Sequence, residues 1–143
     1  LSEQSDMQNQ KDRIIIDTNL WLSFLLSKDQ SKIDLFFKKK LLILLFSDEL
    51  INEFTEVAQR PKFKKYFATK DLLELIEQMR NHSEFISVKS MVTVCRDDKD
   101  NFLLSLAKDG NAAFLITGDK DLLELKQFGK TKIVSMTEYL QKK

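Results

Sequence analysis

Cysteine is nearly absent from this 143-residue chain. Cys95 stands alone, which excludes an internal disulfide framework and any cysteine-rich zinc site. A reduced, cytoplasmic setting is the expectation that follows. One proline and three glycines exclude collagen-like and Pro/Gly-rich disordered classes, and they disfavour all-β folds built on many tight turns. The single histidine, His82, lies in a polar stretch with no acidic partner nearby, so acid–base chemistry centred on histidine is not expected. The longest apolar run, Leu41 to Phe46, is too short to span a bilayer, and the opening residues lack the order of a secretory signal. No Gly-rich phosphate loop is present, which excludes the usual nucleotide-binding signatures. Charge of one sign is not in excess either. Lys and Arg number 23 against 22 Asp and Glu, a net charge of +1. That balance excludes a bulk basic coat for nucleic acid but leaves room for a basic rim around an acidic pocket.

What is present is the composition of one soluble globular domain, 43% hydrophobic and 31% charged. Residues 1–12 are polar and are expected to form a disordered leader or a cloning remnant, with the folded domain over residues 13–143. Along that stretch strands and helices alternate. Arg13 to Asp17 reads as a strand buried on both faces, followed by helices over Thr18–Ser27 and Ser31–Lys40. Leu42–Phe46 is a second strand, and Asp48–Gln59 an amphipathic helix that must end near Arg60-Pro61. Lys62–Asn81 reads as helical in two pieces, and Phe85–Val88 as a short third strand. Asp100–Asp109 is a helix with Gly110 just past its end. Ala113–Thr117 and Lys132–Ser135 are the last strands, with helices over Lys120–Lys126 and Thr137–Lys142. Such alternation predicts a three-layer α/β/α sandwich around a central parallel sheet of four to five strands. In these sheets ligands bind beyond the carboxyl ends of the strands.

Acidic residues collect at that predicted edge. Asp17 closes the first strand, and Asp119 follows the Ala113–Thr117 strand by one glycine. Glu53 sits at the border of the apolar arc of its helix, between Leu50 and Val57. Asp100 opens its helix on the face carrying Leu103, Leu104 and Ala107. Four converging carboxylates would repel one another unless a cation neutralised them. Oxygen-only ligands suit Mg²⁺ or Mn²⁺, and the chemistry that follows is phosphodiester hydrolysis. Spacing by itself leaves other roles open, since Asp48 and Asp100 also fit as helix caps and most of the acids of such a chain are simply solvated.

The words of the sequence extend this reading. Ile16-Asp17-Thr18-Asn19 after a hydrophobic strand resembles the opening motif of PIN-domain ribonucleases. Ser47 to Glu53, running on to Arg60-Pro61-Lys62-Phe63, is similar to the second motif, Asp97-Asp98-Lys99-Asp100-Asn101 to the third, and Thr117-Gly118-Asp119-Lys120-Asp121 to the fourth. The resemblance covers residues 13 to 140 and is nearest to the toxins of toxin–antitoxin pairs (the VapC-like group). It implies a Mg²⁺- or Mn²⁺-dependent endoribonuclease acting on single-stranded RNA, with Asp17, Glu53, Asp100 and Asp119 as catalytic metal ligands. Asp121 would be a fifth, more peripheral acid. Thr18, Asn19 and Thr117 would orient the carboxylates or the water. An antitoxin protein and a homodimer are the partners it implies. One departure is the aspartate, Asp98, where the third motif usually carries proline; it leaves open whether Asp97 or Asp98 approaches the metal.

Two basic clusters remain. Lys38–Lys40 reads as a solvated helix end. Arg60, Lys62, Lys64 and Lys65 interleave with Phe63, Tyr66 and Phe67, either as an RNA-binding surface or as a helical hairpin whose aromatics are core. Trp21, Phe24 and Leu25 read as core, and Cys95 as a small buried residue. Two other functions fit the same layers. One is a non-catalytic module binding RNA or protein. The other is a receiver-like phosphoacceptor, which would need a lysine ending the last strand, whereas Lys132 begins it.

Overall fold

The structure is a computed structural model that describes residues 11–27, 31, 34, 37 and 42–141. Strand β1 (Asp12–Ile16) and helix α1 (Thr18–Ser27) are followed by β2 (Leu42–Phe46) and α2 (Asp48–Ala58). Next come α3 (Pro61–Lys64), α4 (Thr69–His82) and β3 (Ser83–Phe85). The chain then runs through α5 (Asp98–Gly110), β4 (Phe114–Ile116), α6 (Lys120–Leu125), β5 (Gln127–Phe128), β6 (Thr131–Val134) and α7 (Met136–Gln141).

Isoleucine and leucine runs make the central strands because helices cover the sheet and leave no polar face to satisfy. Ile14, Ile15 and Ile16 are each at most 1% exposed. Among the described residues the sheet has six strands in the order β3-β2-β1-β4-β6-β5. Five run parallel, and β5 is an antiparallel addition paired only with β6. The chain winds outward from β1 to β3, then returns to place β4 on the other side of β1. The carboxyl ends of β1 and β4 therefore flank the point where the winding reverses, the crevice in which α/β sheets bind ligands. The α/β/α layering matches the expectation from sequence. Trp21, Phe24 and Leu25 are core, with Trp21 against the rings of Phe24 at 5.8 Å and Phe46 at 5.9 Å.

Several boundaries differ from the sequence reading. Asp12, grouped with the leader, instead opens β1, and its carboxylate accepts a hydrogen bond from the Tyr139 hydroxyl. Residues 1–10 lie outside the described residues, as do the Lys38–Lys40 cluster and most of the helix expected over Ser31–Lys40. The third strand is Ser83–Phe85, not Phe85–Val88. Its partner β2 ends at Phe46 because Ser47 turns away to cap α2, accepting from the Leu50 N–H. α5 starts at Asp98 and includes Gly110, while the residue past its end in the left-handed conformation is Asn111, at φ 53°. Gly110 is chosen for space: a Cβ there would stand 3.0 Å from Leu45 Cδ1.

Between β3 and α5 the backbone has no regular structure, yet it is held. Asn101, Ser105 and Asp109, four residues apart on α5, each bind it. Asp109 accepts from the N–H groups of Lys89 and Ser90 and from the Ser90 hydroxyl, which hold its carboxyl below the usual range. Ser105 Oγ accepts from Val92 N–H, and the Asn101 amide bonds both the N–H and the carbonyl of Cys95. This strap delivers Asp97 to the start of α5. No helix among the described residues is long and apolar enough to cross a membrane.

Candidate active site

Three helices begin beyond the carboxyl ends of the sheet with the same local device. Asp17 Oδ1 accepts from Asn19 N–H at 3.3 Å, Asp97 Oδ1 from Lys99 N–H at 2.9 Å, and Asp119 Oδ1 from Asp121 N–H at 2.9 Å. Each aspartate thus satisfies a backbone donor that the first helical turn leaves free, and each sits at the positive end of a helix dipole. Helix ends offset part of the repulsion that gathering these charges costs.

β1 and β4 are stitched together at the crevice by one hydroxyl. Thr117 donates to Asp17 Oδ2 at 2.8 Å and accepts from the Asp119 N–H at 3.0 Å. Both Asp17 and Thr117 are buried, and the Asp17 N–H continues the ladder onto the Ile116 carbonyl at 3.0 Å. Thr18 adds a longer contact, its hydroxyl 3.5 Å from Asp17 Oδ1.

A cavity of about 210 Å³ opens above this junction. Asp17, Glu53, Asp97, Asp100 and Asp119 line it, with Thr18 and Asn19 beside them. Of the two candidates in the third motif it is therefore Asp97, not Asp98, that faces the cavity. Asp100, Asp119 and Asp121 come closest together: each can offer a carboxylate oxygen with all three within 4.8 Å. Asp17 and Glu53 lie on the cavity wall outside that trio, because Asp17 is turned into Thr117 and Glu53 reaches towards Lys99 Nζ at 3.5 Å. Asp121 in turn is held by the Arg96 guanidinium at 3.0 Å.

Asp100 is the anomaly of the group. It is 5% exposed, and its Oδ2 is buried without a hydrogen-bond partner. Burial first, then a hydrogen bond to Asp119 and the charges of Asp119, Asp97 and Asp17, push its pKa up to about 7. A buried oxygen with no donor, beside two carboxylates and no nitrogen or sulfur ligand, is what a hard divalent cation would complete. The residues present fit such an ion. Cys95 is half-buried instead of fully buried, and burial together with the surrounding carboxylates pushes its thiol up, which disfavours the thiolate. His82 is exposed at the end of α4.

The basic cluster divides. Arg60, Lys62 and Phe63 line the cavity with Val57 and Leu50, whereas Lys64 and Lys65 do not. Phe63 and Phe67 pack on the core, and Tyr66 is 56% exposed with Lys65 Nζ 5.3 Å from its ring centre. Sequence reasoning passed over Arg96 and Lys99, which bracket Asp97-Asp98. The available signal was a lysine in the first turn of a helix, where the dipole disfavours it.

Comparison with known proteins agrees with the fold. A family model described as PIN domain matches residues 13–121. The uncharacterized protein MJ1680 of Methanocaldococcus jannaschii is 31% identical over 128 aligned residues, covering 87% of this chain and 81% of that one. In three dimensions the chain is similar to the crystal structure of PAE2754 from Pyrobaculum aerophilum. The TM-score is 0.57 and the identity 15%, over 95% of this chain and 93% of that one.

Proposed function

The chain belongs to the PIN-domain family, a family generally of metal-dependent nucleases, and on that premise we propose that it is an endoribonuclease that hydrolyses phosphodiester bonds of single-stranded RNA with Mg²⁺ or Mn²⁺. The observation that carries the reading is Asp100: a buried carboxylate with an unpartnered oxygen, within 4.8 Å reach of oxygens of Asp119 and Asp121, on a cavity that Asp17, Glu53 and Asp119 also line.

Asp100, Asp119 and Asp121 would hold the cation, with Asp17 and Glu53 adding negative charge to the cavity that Asp100 and Asp119 line. When bound, the ion supplies Lewis acidity towards the phosphate and towards water. Thr117 keeps Asp17 aimed by donating to its Oδ2, and the Asn19 N–H donates to its Oδ1. Arg60 and Lys62 place positive charge on the cavity wall, where phosphates flanking the scissile bond would lie. Phe63 contributes a half-buried ring to the same wall. The one histidine of the chain is exposed on α4, so proton transfer falls to carboxylates and water.

The four acidic motifs, which resemble those of toxins in toxin–antitoxin pairs, support a finer role. The biological role is that of a toxin held in check by an antitoxin segment covering the cavity, in a cytoplasmic homodimer.

Purified protein incubated with mixed-sequence single-stranded RNA should cut it in Mn²⁺ or Mg²⁺ and not in EDTA. An Asp17→Asn variant should lose the cutting. Binding of RNA without cleavage in either metal would replace this reading with a non-catalytic binding module on the same fold.

A further inference from the structure

The first turn of α5 carries a cation where helix electrostatics argue against one. Lys99 follows the N-cap Asp97 by two residues, at the positive end of the dipole. At the positions three and four residues on, Phe102 and Leu103 offer no acid, so no pair along its own helix accounts for it. Instead Lys99 reaches a carboxylate on a different element, Glu53 of α2, at 3.5 Å. Both residues line the cavity, and the lysine side chain is 59% exposed while Glu53 is 25% exposed. Such a long, half-exposed pair is weak and easily exchanged. The four-carbon stem lets the ammonium move without disturbing the backbone, whose N–H is fixed on Asp97.

We propose that Lys99 is an exchangeable phosphate-positioning residue: without a cation its ammonium rests on Glu53, and a cation among the carboxylates frees it to hold a phosphate of the RNA strand entering the cavity. The inference rests on the RNA-cleavage reading above. Two consequences have opposite signs. The ammonium shares the cavity with a divalent ion held by Asp100, Asp119 and Asp121 and is repelled by it, so removing the ammonium leaves ion binding at least as tight. The same ammonium draws phosphate, so removing it weakens RNA binding.

The test compares wild type, Lys99→Met, Lys99→Arg and Lys70→Met, the last an exposed lysine on α4 that removes the same charge away from the cavity. Mn²⁺ binding is measured by calorimetry without RNA. Binding of a single-stranded RNA with a phosphorothioate backbone, which resists hydrolysis, is measured by fluorescence anisotropy in Mn²⁺ across a salt series. Lys99→Met should bind Mn²⁺ as tightly as wild type or up to about threefold tighter, and RNA roughly five- to tenfold more weakly, with the slope of log K against log salt smaller by about 0.7. Lys99→Arg should recover most of the RNA affinity. Weaker Mn²⁺ binding in Lys99→Met, or an RNA affinity and salt slope equal to those of Lys70→Met, would overturn the proposal. Variants that show these shifts beside a wild type that never cleaves unmodified RNA would reject the hydrolysis reading alone. Cleavage by wild type with no Lys99-specific shift would reject the lysine's role alone.

Discussion

Asp17 and Thr117 stand 100 residues apart in sequence and meet in a 2.8 Å hydrogen bond, hydroxyl to carboxylate, between the ends of β1 and β4. The bond is buried and charge-assisted, and the same hydroxyl accepts from Asp119 N–H. One side chain thus aligns two of the site's acids.

Thr117→Val keeps the shape and removes both bonds. Divalent-ion affinity should fall by about tenfold or more, the usual cost of losing a partner that orients a ligand. Stability should fall by about 1–3 kcal/mol, since Asp17 Oδ2 loses its buried donor. Calorimetric titration with Mn²⁺ and a denaturant melt check the two figures. Thr117→Ser should retain most of both.

Asp100 makes the metal-free protein sensitive to pH. Its folded-state pKa, about 7, lies above the ordinary 3.8, so the folded chain holds a proton that the unfolded chain releases. Stability contributed by this group is therefore greatest in acid and declines as pH rises from about 4 to 7. In EDTA the melting temperature should drop between pH 5 and pH 8 relative to an Asp100→Asn variant, in which that component of the slope disappears. Saturating Mg²⁺ or Mn²⁺ should reverse the drop in wild type, with a proton released on binding below pH 7.

The four basic residues after α2 should separate in their effects. Arg60→Met with Lys62→Met alters the cavity wall and should raise KM for single-stranded RNA about tenfold, with a shallower salt dependence. Lys64→Met with Lys65→Met removes equal charge outside the wall and should raise KM less than about threefold. Equal effects would mean that only overall charge matters.

Gly110 marks the closest approach of α5 to the sheet. A Cβ would meet Leu45 Cδ1 at 3.0 Å and Ile86 Cγ1 at 3.2 Å, and Leu45 is 1% exposed with nowhere to move. Gly110→Ala should destabilise the fold by about 1–2 kcal/mol despite the better helix former. RNA cleavage at low temperature should be unaffected, because the residue lies at the far end of α5 from Asp100. A melt beside a single-turnover assay distinguishes the two.

How far the sequence could be read varied with the kind of signal. Thr18–Ser27 and Leu42–Phe46 have the boundaries expected of them because apolar periodicity, capping residues and β-branched runs are local properties. β5 escaped notice. Its two residues pair only with β6, in a hairpin that depends on positive φ at Lys126 and Gly129, and two residues carry no period. Gly110 looked like a terminator because glycine usually follows a helix. Here Asn111 takes that place, and the glycine answers to Leu45 across the core.

The candidate site shows the same division. Four acidic motifs, each at a strand exit or in the helix that follows, were legible in order, since the alternation of strands and helices sends those exits to one edge. Which carboxylates draw within reach of a single ion was not. That Asp121 joins Asp100 and Asp119 while Glu53 turns to Lys99 depends on distances between elements that only packing sets. The same holds for Asp100's raised pKa, which comes from burial and neighbouring charge, neither of them a property of the residue. By itself the sequence determined the elements and the chemistry available at their ends, because both are local. The tertiary structure decided which of those groups meet, which stay charged and which cation they face, because those are properties of the space between elements.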